Sequence, residues 1–189
     1  MNVTGVSYDN QGRILSIRVG EEQNVLIDLS STQHVLTTES VSMDSHYVKY
    51  HELHPYPPKP DGRYDWDLAT ESWVFVLEEA RALKWSEIKS EREQAEEGGF
   101  TVFGFDIDSD RTSQQRIQGA VQMALLDPNL VLDWTLADNS VTSLDASSII
   151  AIGQALAAHV NAIHVQGRLL RAQIEAATSQ AELDQITWP

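Results

Sequence analysis

The hydrophobic pattern divides the chain near residue 76, mainly strand-like before it and mainly helical after it, and no other feature constrains the fold as much. Before that point apolar residues alternate with polar ones. Leu15, Ile17 and Val19 are separated by Ser16 and Arg18, and Val25, Ile27 and Leu29 alternate in the same way. Period-two alternation gives a strand one apolar face, and Asp9–Gly12 and Gly20–Asn24 supply turn residues between the runs. The pattern predicts an antiparallel meander of Val3–Tyr8, Arg13–Val19 and Asn24–Leu29, with His34–Thr38 and His46–His51 as weaker strand candidates. Next, His54 to Pro60 places four prolines in six residues, which biases the backbone to polyproline II and removes amide donors. Tyr64–Leu68 and Ser72–Leu77 then flank Ala69-Thr70-Glu71 as a hairpin carrying Trp66 and Trp73.

After residue 76 the period becomes helical. Leu77–Glu97 contains no Gly, Pro or Thr and stops at Gly98-Gly99, a helix-ending signal. Its apolar residues thin out after Ile88, which predicts a solvated end or a connecting rod. Lys84–Glu87, Lys89–Glu93 and Arg92–Glu96 have ion-pair spacing. Phe100–Asp106 alternates as a short strand. Thr112 to Gln115 fits a capping box opening a helix that ends at Asp127-Pro128. Val131–Leu136 and Val141–Ser143 flank Ala137-Asp138-Asn139-Ser140 as a hairpin. The last long helix is expected from an N-cap at Ser143 to Ala177, and Ser179 to Glu182 is a second capping box before a short terminal helix. Within the long helix Ile149, Leu156, Ile163 and Leu170 recur every seven residues, but the next seam position reads Ile152, His159, Gln166, Gln173. The stripe therefore drifts as in an ordinary 3.6-period helix, which favours packing within the domain over a coiled coil. The expected fold is α+β. It comprises a small antiparallel β-rich domain over 1–76 with a proline-rich segment at 54–60, a connecting helix over 77–99, and a mainly helical domain over 100–189 with a short hairpin and one long helix.

Composition narrows the partners. With 13 Lys+Arg against 28 Asp+Glu the net charge is −15, which argues against binding nucleic-acid phosphates. No cysteine is present, so disulfides, thiol catalysis and Cys-based zinc sites are excluded. Met1 to Tyr8 does not read as a secretory signal, and the most apolar window, Ile149–Ala158, is short of a bilayer span. The expectation is a protein with no membrane insertion, made in a cytoplasm.

Reactive constellations are sparse. Asp106-Ile107-Asp108-Ser109-Asp110 resembles the start of a calcium loop, but the Gly and Glu that such a loop needs at its sixth and twelfth positions are Arg111 and Ile117. His46, His51 and His54 lie close in sequence without a further ligand cluster, and His159 and His164 lie about 140° apart around a helix. Walker, Rossmann and nucleophile-elbow patterns do not occur. No cofactor, metal or catalytic residue is expected. Tyr47, Tyr50, Tyr56, Trp66 and Trp73 crowd the proline-rich region, either as a mini-core beneath it or as a docking surface of the kind Trp and Tyr anchor. Trp188, next to last, either folds back or inserts into a neighbour. Trp85 and Trp134 sit among apolar residues and read as core.

From about residue 82 to 186 the order of features resembles a domain of unknown function found in tail, tail-fibre and tail-fibre assembly proteins of tailed bacteriophages. The residues that carry the likeness are Trp85-Ser-Glu-Ile88, Gly104-Phe-Asp106-Ile-Asp108, Ser113-Gln-Gln-Arg-Ile117, Trp134-Thr-Leu-Ala-Asp138-Asn139 and Ala181-Glu-Leu183-Asp-Gln-Ile186. The shared residues read as structural: Asp106 and Asp108 as caps, Asp138 and Asn139 as a turn, Trp134 as an anchor for its hairpin. The resemblance implies a non-enzymatic virion structural protein, a tail, baseplate or tail-fibre component made in the bacterial cytoplasm. It would dock to neighbouring tail proteins as a homo-oligomer, a trimer being one symmetry that phage architecture suggests. A fibre-assembly chaperone that leaves the particle, and a small enzyme acting on host-surface polysaccharide, are the alternatives.

Overall fold

The computed structural model describes residues 2–29 and 33–189, in two compact units, Met1–Glu79 and Ala80–Pro189. The fold is α+β, with antiparallel strands through the first part of the chain and mainly helix after it.

In the first unit β1 (Asn2–Tyr8) is the centre of a three-stranded antiparallel sheet, flanked by β2 (Ile14–Glu21) and β3 (His34–Thr37). This corrects the predicted meander. Glu22–Leu29 is a helix, α1, and β3, one of the weaker strand candidates, supplies the third strand. Val25 and Leu29 satisfy helical i, i+4 spacing as well as alternation. As helix residues both are 3% exposed, whereas Ile27, which would share their face in a strand, is 71% exposed. Gly5 permits the arrangement, because a Cβ there would lie 2.3 Å from Val25 Cγ1 and 2.6 Å from Leu29 Cδ1. Two hairpins follow: β4 (His46–Lys49) with β5 (Glu52–Pro55), and β6 (Tyr64–Asp67) with β7 (Ser72–Phe75). The first turns through Tyr50 and His51, whose φ values of 52° and 66° are those of a tight two-residue hairpin turn. The proline-rich stretch is thus partly strand, since His54 and Pro55 pair with Tyr47 and His46.

The second unit is built around α2 (Leu77–Glu97), α3 (Arg111–Leu126), α4 (Ala146–Ala176) and the short α5 (Gln180–Asp184). The expected single strand at Phe100–Asp106 is a hairpin, β8 (Phe100–Val102) with β9 (Phe105–Ile107), turning through Phe103 and Gly104. A second hairpin, β10 (Val131–Thr135) with β11 (Val141–Asp145), leads into α4. Ile107, Ile117, Ala124, Leu144, Ile149, Ile152 and Leu156 form one buried core, with Trp134 packed against it.

Two expected caps move. Asp110, not Thr112, caps α3, accepting from the amides of Thr112 and Ser113. Asp145, not Ser143, caps α4 through the Ser148 amide at 2.8 Å; Ser143 lies in β11 and bonds Asp133 instead. Carboxylates at these positions gain from the helix dipole as well as from the amides. The terminal capping motif forms as expected: Glu182 N–H donates to Ser179 Oγ while the Glu182 carboxylate reaches back to the Thr178 amide.

The sparse end of α2 is not solvated all round. Arg81 Nη2 donates to Ala177 O at 2.7 Å, the Arg171 guanidinium lies 5.1 Å from the Trp85 ring centre, Arg92 packs over Gly167, and Glu96 contacts His164 Nε2 at 3.2 Å. These partners run in opposite directions along the two helices, so α2 lies antiparallel to α4. Long charged side chains cover apolar surface with their stems, which is why a count of apolar residues underestimates this face. Of the spaced ion pairs, Lys84–Glu87 forms at 2.8 Å, while Arg92 turns to Glu93 at 3.7 Å and Glu96 to His164. By length and composition α4 is sufficient to cross a bilayer, contrary to the shorter window read from the sequence. Ile149, Ile152, Leu156, Leu170 and Ile174 on it are buried in protein.

Candidate functional site

Cross-strand pairing builds the aromatic region. Tyr47 opposes His54 across β4–β5, and Trp66 opposes Trp73 across β6–β7. Tyr56, whose amide donates to Ser45 O, enters from the segment after β5. The rings meet as one cluster: Tyr47 lies 4.9 Å from Trp66 and 5.1 Å from Tyr56, and Tyr56 lies 5.1 Å from Trp66 and 5.3 Å from Trp73. The proline run folds back over it, with Pro57 O accepting from Trp73 Nε1 at 3.0 Å and the Lys59 ammonium over the Trp73 ring. Tyr47 and Trp66 are buried, Tyr56 and Trp73 half-buried. Burial pushes the Tyr47 hydroxyl pKa up, and the Glu71 carboxylate beside it adds to the effect. Glu71, in the β6–β7 turn with φ 49°, is ion-paired with Lys49, which ties the two hairpins together. Four of the singled-out aromatics therefore form a mini-core in which Tyr56 and Trp73 stay partly exposed. Tyr50 stands outside it at 85% exposure, with the Lys49 ammonium over its ring. Trp188 is half-buried beyond Ile186.

A cleft of about 840 Å³ opens beside this cluster, walled by Val48, Trp66 and Val76. Two polar pairs line it: Arg13 Nη2 donates to Asp65 at 2.5 Å, and Tyr8 Oη contacts His51 Nδ1 at 2.5 Å. In the second unit a groove of about 1050 Å³ runs between α3 and α4 over Ile117, Val121, Gly153 and Val160, edged by Gln118 and Asn161.

The acidic run Asp106–Asp110 does not converge. Asp106 accepts from Thr101 Oγ1, Asp108 is exposed, and Asp110 caps α3, so the cap expected of Asp106 or Asp108 falls to Asp110. Among the described residues no group of three His, Cys, Asp or Glu side chains is placed to hold a metal ion. His51 and His54 diverge, toward Tyr8 and onto Tyr47, and His159 stacks on Phe100 while His164 contacts Glu96. Asp138 accepts from the amide and hydroxyl of Ser140, and Asn139 has φ 64°, so both make the β10–β11 turn. Trp85 is half-buried beneath Arg171. Sequence reasoning missed Ser109, fully buried, whose hydroxyl donates to Glu96 O at 2.5 Å and accepts from the Gly99 amide at 2.9 Å. The signal for it was indirect: a helix ending at Gly98-Gly99 leaves carbonyls that need a donor.

A family model described as a domain of unknown function, DUF4376, matches residues 79–187, more than half of the chain. The chain belongs to this family. The family is known from tail, tail-fibre and tail-fibre assembly proteins of bacteriophages. The match begins at the unit boundary near Glu79 and runs through α5, so the helical unit is the DUF4376 domain and the β-rich unit precedes it. No curated protein and no solved structure matches the chain.

Proposed function

We propose that the chain is a non-enzymatic structural component of the phage virion, in the tail, baseplate or tail fibre, that docks to neighbouring tail proteins. The family match over 79–187 carries this reading. Seven of the chain's carboxylates are engaged in fastening the fold. Arg63 hydrogen-bonds Asp61 and Lys49 hydrogen-bonds Glu71. The hydroxyls of Thr70, Ser113 and Ser140 do the same for Asp67, Asp110 and Asp138, and the amides of Ser148 and Thr178 for Asp145 and Glu182. Each contact holds its carboxyl below the usual range. Such groups are ionised fasteners of turns and helix ends, whereas a general acid working near neutrality needs a raised pKa.

Tyr50 and the partly exposed Tyr56 and Trp73 are the docking residues of the first unit, an aromatic surface presented on the hairpins and the segment after β5. Mass spectrometry of washed virions, with immunogold labelling, tests the reading. The protein is expected in the particle at the tail. Its absence from particles, combined with binding to fibre chains before assembly, would show an assembly chaperone instead. Hydrolysis of host glycan that is lost on substituting two neighbouring acids would show an enzyme.

A further inference from the structure

α4 carries two apolar seams. The one at Ile149, Leu156 and Leu170 is buried. At about 100° per residue, the contacts of α4 with α2, α3 and β8, through Gly167, His164, Gly153 and His159, all lie within about 80° of Leu156. On the far side Ala155, Ala158, Ala162, Val165, Leu169 and Ala172 follow one another at alternate spacings of three and four, about 160–260° round from Leu156. Ala158, Ala162 and Ala172 are exposed, and Val165 and Leu169 are 40% and 55% exposed. Ala151 and Ala176 continue the spacing at the two ends, and no polar residue interrupts it. Three and four average to 3.5 residues, the repeat of a seam that meets another helix. A helix that is apolar all round is ordinarily enclosed, yet only 22% of the most apolar stretch of α4 is buried.

We propose that this face of α4 packs antiparallel against the same face of a second copy of the chain, about a two-fold axis between Ala162 and Val165. In that register Val165 meets Ala162 of the second copy, Leu169 meets Ala158 and Ala172 meets Ala155. Each large side chain falls opposite a small one, and the surface complements itself as a two-fold interface must. A parallel pair or trimer would set Leu169 on Leu169 and Ala158 on Ala158. The large layers would then hold the helices apart and leave gaps at the small ones. Along the border Arg168 meets Asn161 and Glu175 meets Gln154, so like charges are not opposed there. Ala146 to Ile174 is also the longest stretch without an acid in a chain of net charge −15, which makes it the place where two copies approach with least repulsion. Seam and borders together come to roughly fifteen residues a side, on the order of 1,000 Å² in total, the small end of specific interfaces. A lipid surface fits less well, because the face is mostly alanine where interfacial helices carry Leu, Phe and Trp.

The chain has no cysteine, so introduced thiols report alone. With helix axes about 8–10 Å apart, facing Cα atoms lie ~4–6 Å from each other, within disulfide reach. Ala155→Cys combined with Ala172→Cys places such a pair toward each end of the seam. Either single variant holds its two thiols about 17 residues, or ~25 Å, apart along the axis. On mild oxidation the double variant is expected to become mostly covalent dimer and each single variant to stay mostly uncrosslinked. Sedimentation equilibrium is expected to give twice the 21.1 kDa chain mass for the wild type. Ala162→Lys, which brings two ammonium groups together near the axis, is expected at a single chain mass with unchanged far-UV circular dichroism. A wild type that stays monomeric at its highest soluble concentration overturns the proposal, and a monomer that floats with phosphatidylcholine vesicles assigns the face to lipid instead. Single variants that crosslink as readily as the double one overturn it too, as does a dimer untouched by Ala162→Lys. If Ala162→Lys fails to fold, the cysteine comparison decides. The contact joins copies of the chain to each other and is measured on purified chain alone, so its outcome is separate from the virion test of docking to other tail proteins.

Discussion

Two glycines in the helical unit make one chemical change with opposite expected signs. Gly119 in α3 is exposed, and a Cβ there meets nothing within 4 Å. Gly119→Ala removes backbone freedom from the unfolded chain at no packing cost and should stabilise by about 0.5–1 kcal/mol. Gly153 in α4 receives the same propensity gain, but its Cβ would lie 2.5 Å from Val121 Cγ2 on α3. Val121 is β-branched and stiff at χ1, so it cannot swing aside without straining a rotamer or parting the helices. Overpacking of this kind costs about 1–3 kcal/mol, which outweighs the gain and leaves Gly153→Ala destabilised by about 1 kcal/mol. The two variants should therefore differ by about 1–3 kcal/mol, or at least ~4 °C in Tm for a unit of this size. Urea unfolding followed by far-UV circular dichroism reads the helical unit directly. Val121→Ala should relieve Gly153→Ala, giving a double-mutant coupling above about 0.5 kcal/mol. Equal stabilisation by both alanines would mean that α3 and α4 do not meet at this crossing, and the groove above it would lose its floor.

The remaining expectations concern local fastenings. Gly5→Ala should destabilise the first unit by about 1–3 kcal/mol in urea titration, because α1 packs through Val25 and Leu29 onto the bare backbone of β1. Ser109→Ala strands the Glu96 carbonyl and the Gly99 amide, and should cost about 1–3 kcal/mol while raising hydrogen exchange at Gly99. Below neutrality the caps set the pH response. The hydroxyl of Ser113 lowers the Asp110 pKa, and the amides of Ser148 and Thr178 lower those of Asp145 and Glu182. Depressed carboxylates contribute stability above their unfolded values near ~4 and lose it as pH falls through the folded ones. Calorimetry should show Tm level from neutrality to about pH 5 and falling below about pH 4, less steeply in Asp145→Asn.

Much of the second unit was legible because its signals are local. A helix with no Gly, Pro or Thr that stops at Gly98-Gly99 was readable to the residue, and so was the Ser179 box, since caps and breakers act within one turn. Asp110 and Asp145 take the place of the expected Thr112 and Ser143 caps because several Ser, Thr and Asp residues stand near each helix start, and only the geometry selects among them. In the first unit the Trp66–Trp73 hairpin was legible from its turn and flanking alternation. Val25–Leu29 was not, because a short apolar run satisfies both periods and the bare backbone at Gly5 decides between them.

Sequence alone determined the switch from strand to helix near residue 76, the acidic and cysteine-free character, and the residues that carry the family likeness. All of these depend on neighbours along the chain. Tertiary structure alone decided that Tyr47, Tyr56, Trp66 and Trp73 share one cluster while Tyr50 stands free, that α2 lies along α4 through Arg92 and Glu96, and that β2 keeps an open edge. Those outcomes depend on which distant segments meet, and the free energy that selects among meetings is shared over many contacts rather than encoded at any one position.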